Sequence, residues 1–125
     1  MDSQDNPFKN SNFFQSFICA SQGFFQAIKS ERNLKIHLFF ALVAVLLAFY
    51  FKFEPLKWTI LLLTIGLVIF SELINTAIEA VIDLIVADQW HPLAKKAKDI
   101  AAASVLMTAI ISIIIGAILF LPYLF

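Results

Sequence analysis

Charge is scarce in this sequence. Only 14% of its 125 residues are Asp, Glu, Lys or Arg, nine basic against nine acidic, and the formal net charge is zero. No field of one sign draws nucleic acid, so no such partner is expected. Cysteine is scarcer still. Cys19 stands alone, so no intramolecular disulfide is possible and no oxidising compartment is implied; it reads as a small buried apolar residue. The familiar phosphate-cradling and phosphoryl-transfer stretches are missing, with no GxxxxGK[ST], GxGxxG, HRD or DFG. A nucleotide, if one binds, is held by some other arrangement. Cys and His pairs at zinc-ligand spacing are absent too. Ser71 and Ser104 lack a His–Asp set and read as helix-packing hydroxyls. The opening MDSQDNPFKNSN is acidic and polar where a signal peptide is basic and then apolar. No repeat and no low-complexity tract is present.

What the chain has in abundance is apolar surface. It is 61% hydrophobic with a mean hydropathy of +0.87, where soluble domains sit near about 45–50%. Its length suits one domain, residues 1–125. Leu38–Phe51 and Trp58–Ser71 are uncharged runs of 14 residues each, and Ile100–Phe125 is an uncharged run of 26. A membrane-crossing helix needs about 20 apolar residues. The third run satisfies this outright. The first does so if Lys35 and Lys52 snorkel at its ends, and the second only by continuing past Glu72. The reading is all-α and integral to a membrane, with spans over about 34–53, 58–86 and 98–121, and with Pro55 in FEPLK marking a stop and restart.

Basic residues in the short connections set the direction. Lys9, Lys29, Arg32 and Lys35 precede the first span, and Lys95, Lys96 and Lys98 lie between the second and third. The first hairpin has only Lys52 and Lys57. Seven against two places the N-terminus and the second connection in the cytoplasm and the C-terminus outside a cell membrane. Ahead of the first span, Phe13, Phe14, Phe17, Ile18, Phe24, Phe25 and Ile28 recur near helical spacing among polar residues. They predict an amphipathic helix over about 8–30, lying on the inner membrane surface or packed on the bundle. Gly23 marks a break in it or a point of close approach.

Within this apolar frame ELINTAIEAVID, residues 72 to 83, stands out. Counted from Trp58 at the outer interface, Glu72 lies roughly 21 Å inward and Asn75 roughly 25 Å, inside the membrane. Glu79 falls about 31 Å in, at the inner boundary of a layer about 30 Å thick. Asp83 lies beyond. Steps of three, four and four keep all four on one helical face. An intramembrane carboxylate costs at least about 2.5–3.5 kcal/mol if it must stay charged, and such residues face a protein interior or a wet cavity and mark function. The plainer reading is a polar stripe that ties helices together. Asn75 and Thr76 fit it; three carboxylates running from mid-leaflet to the interface point instead to a reaction path.

Downstream, HPLAKKAKD at 91 to 99 gathers Lys95, Lys96 and Lys98 at the inner interface. Asp99 reads as the opening of the third helix, where a carboxylate complements the dipole. The cluster is either positive-inside anchoring or a phosphate site with lysine as a point charge. His91 reads as a loop histidine.

Together, ExxNTAIEAVxD, HPLAKKAKD and the SERN at 30–33 resemble the small prokaryotic integral-membrane lipid kinases, a family that comprises diacylglycerol kinase and an undecaprenol kinase branch. The resemblance covers the chain from about Phe13 to Leu121. NTAIEAVIDLI, HPLAKKAKDIAAASVL and the late GAILFLP are nearer to the Gram-positive undecaprenol kinases. The resemblance implies a homotrimer of subunits that each have a surface helix and three membrane helices, with active sites shared between neighbours. It implies transfer of the ATP γ-phosphate to a lipid alcohol, undecaprenol or diacylglycerol, with Mg²⁺. By motif position, Glu72 is the general base and Asn75 stands beside it and the lipid. Glu31 and Glu79 hold the metal, and with Asp83, Lys98 and Asp99 they surround the nucleotide. A plainer role for Glu31 is an i,i+4 pair with Lys35.

Two positions depart from the family. Asn12 stands where an arginine is frequent and Gln22 where a basic residue is, both on the surface helix. Two further readings stay open: the same chemistry on diacylglycerol, and a non-enzymatic membrane assembly or proton or ion conduit built on the carboxylate ladder.

Overall fold

The structure, a computed structural model, describes residues 9 and 12–125. Four helices follow in order: α1 (Phe13–Ser30), α2 (Arg32–Tyr50), α3 (Pro55–Val86) and α4 (Pro92–Leu124). No strand occurs among the described residues. Lipid offers backbone groups no partners, so an apolar segment satisfies its own N–H and C=O groups as helix. The last three helices are long and apolar enough to cross a membrane.

The boundaries have local causes. Asn12 caps α1, its Oδ1 accepting from the Gln15 amide at 2.7 Å. The Phe8 start of the expected surface helix lies outside the described residues. Gly23 neither breaks α1 nor admits a neighbour: the helix runs through it, and a Cβ there meets nothing within 4 Å. Pro55 is the first residue of α3, where its missing N–H costs nothing. The third span starts earlier than expected, at Pro92, with His91 as its cap; the His91 Nδ1 accepts from the Leu93 amide at 3.1 Å. Asp99 is thus two turns inside α4, and the helix-opening role expected for it does not hold.

The α2–α3 corner is a six-residue C-cap. The Phe53 amide bonds the Ala48 carbonyl at 3.0 Å and the Lys52 amide bonds that of Phe49 at 3.2 Å, while Lys52 takes the left-handed φ of 55°. The hydrophobic contact that accompanies such a cap is present, since Ala48 and Phe53 belong to one buried cluster with Leu61 and Leu119. Aromatic rings seal this end. Phe53 lies 5.0 Å from Phe120, and Phe51 stacks 5.0 Å from Tyr123. Lys57 donates to the Tyr123 hydroxyl at 2.7 Å and its ammonium sits 4.5 Å from that ring.

α3 is the spine. It packs along α4 and against α2, and α1 touches α2 and α3. Ser71 on α3 and Thr108 on α4 share a 2.8 Å hydroxyl bond, so Ser71 serves helix packing, while Ser104 returns its hydroxyl to the Ala101 carbonyl of its own helix. Among the described residues α2 and α4 do not pack along each other, and the corner rings Phe51 and Phe53 bridge them at one end. Between them lies an apolar cleft of about 490 Å³, floored by Ile65, Val68 and Ile69 of α3 and reaching from Phe120 to His37.

Candidate functional site

The residues on the face of α3 pass from buried to exposed along the helix. Glu72 is 1% exposed and Asn75 6%; Glu79 is half-buried and Asp83 exposed. The gradient follows from position. Glu72 lies in the interior part of α3, near His37 of α2, and Asp83 lies one turn before the end of α3.

Asn75 donates its amide to Glu79 Oε1 at 3.3 Å. Its own Oδ1, Thr76 Oγ1 and Glu72 Oε2 are buried without a hydrogen-bond partner. This bears on the helix-tying reading. Among the described residues Asn75 bonds only along its own helix and Thr76 Oγ1 has no partner, whereas the nearby Ser71 bonds across to α4. A buried polar atom without a partner costs about 1–3 kcal/mol, so contacts among the described residues leave this stretch of α3 with three unmet polar atoms.

The negative charges that bear on Glu72 are those of Glu31 and Glu79, so one chain brings the three carboxylates into one field. Glu31 sits at the corner where α1 ends and α2 begins. It makes no ion pair with Lys35 among the described residues, whose lysine–carboxylate pairs are Lys95–Asp99 and Lys98–Asp83. Its carboxylate does not cap α2. Lys98 crosses from α4 to donate to Asp83 at 2.5 Å, which places it at the exposed end of the ladder beside the charge of Glu79.

Asp99 does not join this set within the chain. It pairs with Lys95 on its own helix, in a shallow groove with Trp90, Pro92 and Lys96. On α1, Asn12 is engaged in capping, while Gln22 lies with Lys29 on an exposed face that also carries Phe17 and Phe25.

One residue escaped the sequence reading. His37 Nε2 stands 3.9 Å from Glu72 Oε2, and its ring lines the apolar cleft.

A buried carboxylate, two further carboxylates along the same face and a lysine at the exposed end are the groups that this face of α3 gathers. A profile described as prokaryotic diacylglycerol kinase matches residues 18–120. The chain belongs to that family. Among its relatives, an undecaprenol kinase of Bacillus subtilis is 43% identical over 122 residues, 98% of each chain. A diacylglycerol kinase of Synechocystis is 42% identical over 111 residues, 89% of this chain and 63% of that one. A diacylglycerol kinase of Escherichia coli is 36% identical over 78 residues, 62% of this chain and 63% of that one.

Proposed function

We propose that this chain is an ATP-dependent lipid kinase of the cell membrane whose acceptor is undecaprenol and whose product is undecaprenyl phosphate. The observation that carries the choice of acceptor is the end-to-end match with the Bacillus subtilis undecaprenol kinase, 98% of each chain. Diacylglycerol is the second reading, favoured by the identity to the Synechocystis diacylglycerol kinase.

In this account residues 1–125 form one membrane-embedded domain. α1 is the surface helix and the other three are the spans. The N-terminus is cytoplasmic and the C-terminus outside, following the seven-to-two distribution of basic residues. The functional unit is a homotrimer with shared sites. Support comes from outward apolar side chains such as Phe39, Leu63 and Ile113, which need lipid or a neighbouring subunit against them.

The lipid alcohol lies with its apolar chain in the cleft between α2 and α4 and its hydroxyl at Glu72. Glu72 accepts the hydroxyl proton as the lipid oxygen bonds to the γ-phosphorus. The bond from that phosphorus to the β,γ-bridging oxygen breaks, and ADP leaves. Such a transition state is loose and asks the protein mainly for positioning and charge neutralisation. Lys98 supplies positive charge to the phosphates. Asp83 holds Lys98, and Asp99 borders the nucleotide from the next position on α4. Asn75 orients Glu79 and stands beside the lipid hydroxyl. Glu31 and Glu79 would hold Mg²⁺, and the donor set fits: two carboxylates with open coordination suit a hard cation that keeps waters and takes substrate phosphates. No third His, Cys, Asp or Glu joins them in a closed cage among the described residues. When bound, the ion neutralises charge on the phosphates.

Labelled phosphate transfer tests the reading. Purified protein in mixed micelles receives γ-labelled ATP with undecaprenol and diacylglycerol at equal mole fraction. Label mainly in undecaprenyl phosphate is the expected result. Label mainly in phosphatidic acid moves the chain to the second reading. No label in either, with proton or cation flux in vesicles, returns it to the conduit.

A further inference from the structure

The deepest carboxylate oxygen of the site lacks a hydrogen bond, and one side chain stands ready to make it. Glu72 Oε2 is buried and unpartnered, and His37 Nε2 is 3.9 Å away. That is about 0.7 Å beyond the upper end of the roughly 2.7–3.2 Å range of a hydrogen bond. The two side chains come from different helices, α2 and α3, and differ in access. The Glu72 side chain is 2% exposed and that of His37 22%, because His37 also walls the apolar cleft. A base oriented by a second group is the recurring architecture of activated acceptors.

We propose that His37 is a positioning residue for Glu72. As the lipid chain fills the cleft and presses on the imidazole, Nε2–H closes onto Glu72 Oε2. This fixes the carboxylate plane and leaves Oε1 to accept the proton of the lipid hydroxyl. The arrangement needs the tautomer with hydrogen on Nε2 and none on Nδ1. No proton is transferred between His37 and Glu72; the imidazole donates a hydrogen bond and keeps its hydrogen. Loading of the cleft and orientation of the base are thereby coupled through one ring. The inference rests on the reading of Glu72 as the base.

The test compares His37→Phe, which fills similar space without a donor, with His37→Gln, whose amide reaches about as far as Nε2. His37→Phe lowers kcat by about 10–100-fold, the range for outer-shell partners, and leaves KM for ATP and for lipid near wild type. His37→Gln recovers kcat to within a few-fold. Wild-type kcat in His37→Phe, equal loss in both variants, or a change confined to the lipid KM overturns the proposal. A second measurement does not depend on how the variants fold: the ¹⁵N shifts of His37 in the wild-type protein with undecaprenol bound. They show the Nε2–H tautomer and move in Glu72→Gln; shifts indifferent to that substitution overturn the contact. Transfer by Glu72→Gln at the wild-type rate removes the base reading itself, whichever way the His37 shifts fall.

Discussion

Lys98 of α4 and Asp83 of α3 form an ion pair that joins the two helices at the mouth of the carboxylate ladder. Their side chains are 39% and 61% exposed, so solvent screens the pair and it adds little to stability. Its consequence is placement: an ammonium is held beside Glu79 before any nucleotide arrives.

Lys98→Ala therefore raises KM for ATP by roughly tenfold, since a hydrogen bond to a charged group contributes about 1.5–3 kcal/mol. KM for the lipid and the Tm in detergent stay near wild type. Steady-state kinetics with each substrate varied in turn checks this. A shift in the lipid KM alone contradicts the phosphate role.

Glu79→Ala removes one proposed metal ligand and the acceptor of the Asn75 amide. The Mg²⁺ concentration for half-maximal activity rises by roughly tenfold or more, because even outer-shell partners of a metal are worth about 10–100-fold. An unchanged Mg²⁺ titration counts against Glu79 as a ligand.

The Ser71–Thr108 hydroxyl bond holds α3 to α4 within the span. Ser71→Ala and Thr108→Val, alone and together, give a coupling of about 0.6 kcal/mol, the mean for such bonds in membrane helices. A coupling near zero in a detergent unfolding assay means that packing alone joins these helices.

Two connections carry strain that glycine relieves. Ala87 has φ 52° and ψ −127°, with the Gln89 amide bonded to the Val86 carbonyl at 3.1 Å, the first central position of a type II′ turn that favours glycine. Lys52 sits at φ 55° in the α2 cap. Left-handed backbone costs a side-chain-bearing residue about 1–2 kcal/mol, and glycine loses part of that gain through its freer unfolded chain. Ala87→Gly and Lys52→Gly each raise stability by about 1 kcal/mol, read as a higher Tm. A lower Tm in either shows that the side chain contributes more than the strain costs.

The sequence disclosed the three spans because lipid leaves an uncharged run no alternative to helix, and it disclosed the ladder because polar residues at steps of three and four have no reason to be there otherwise. It was less informative wherever a polar residue had a local task. Asn12 followed by Gln15 carried a capping pattern, which went unread beneath the comparison with an expected arginine. His91 before Pro92 marked a helix start, yet the lysine run beyond it looked like a loop, so Asp99 was placed at the wrong end of a turn. His37 was invisible for a different reason. Its meaning lies in a neighbour on another helix, thirty-five positions away in the chain, and no spacing within α2 announces that.

The most direct test of the account is Glu72→Gln, assayed for label transfer from ATP to undecaprenol alongside ATP binding by the same preparation. The substitution keeps size and removes the proton acceptor, so transfer falls by about 10²–10⁴-fold while ATP binding stays at its wild-type affinity. Wild-type turnover in Glu72→Gln contradicts the role at the centre of this account.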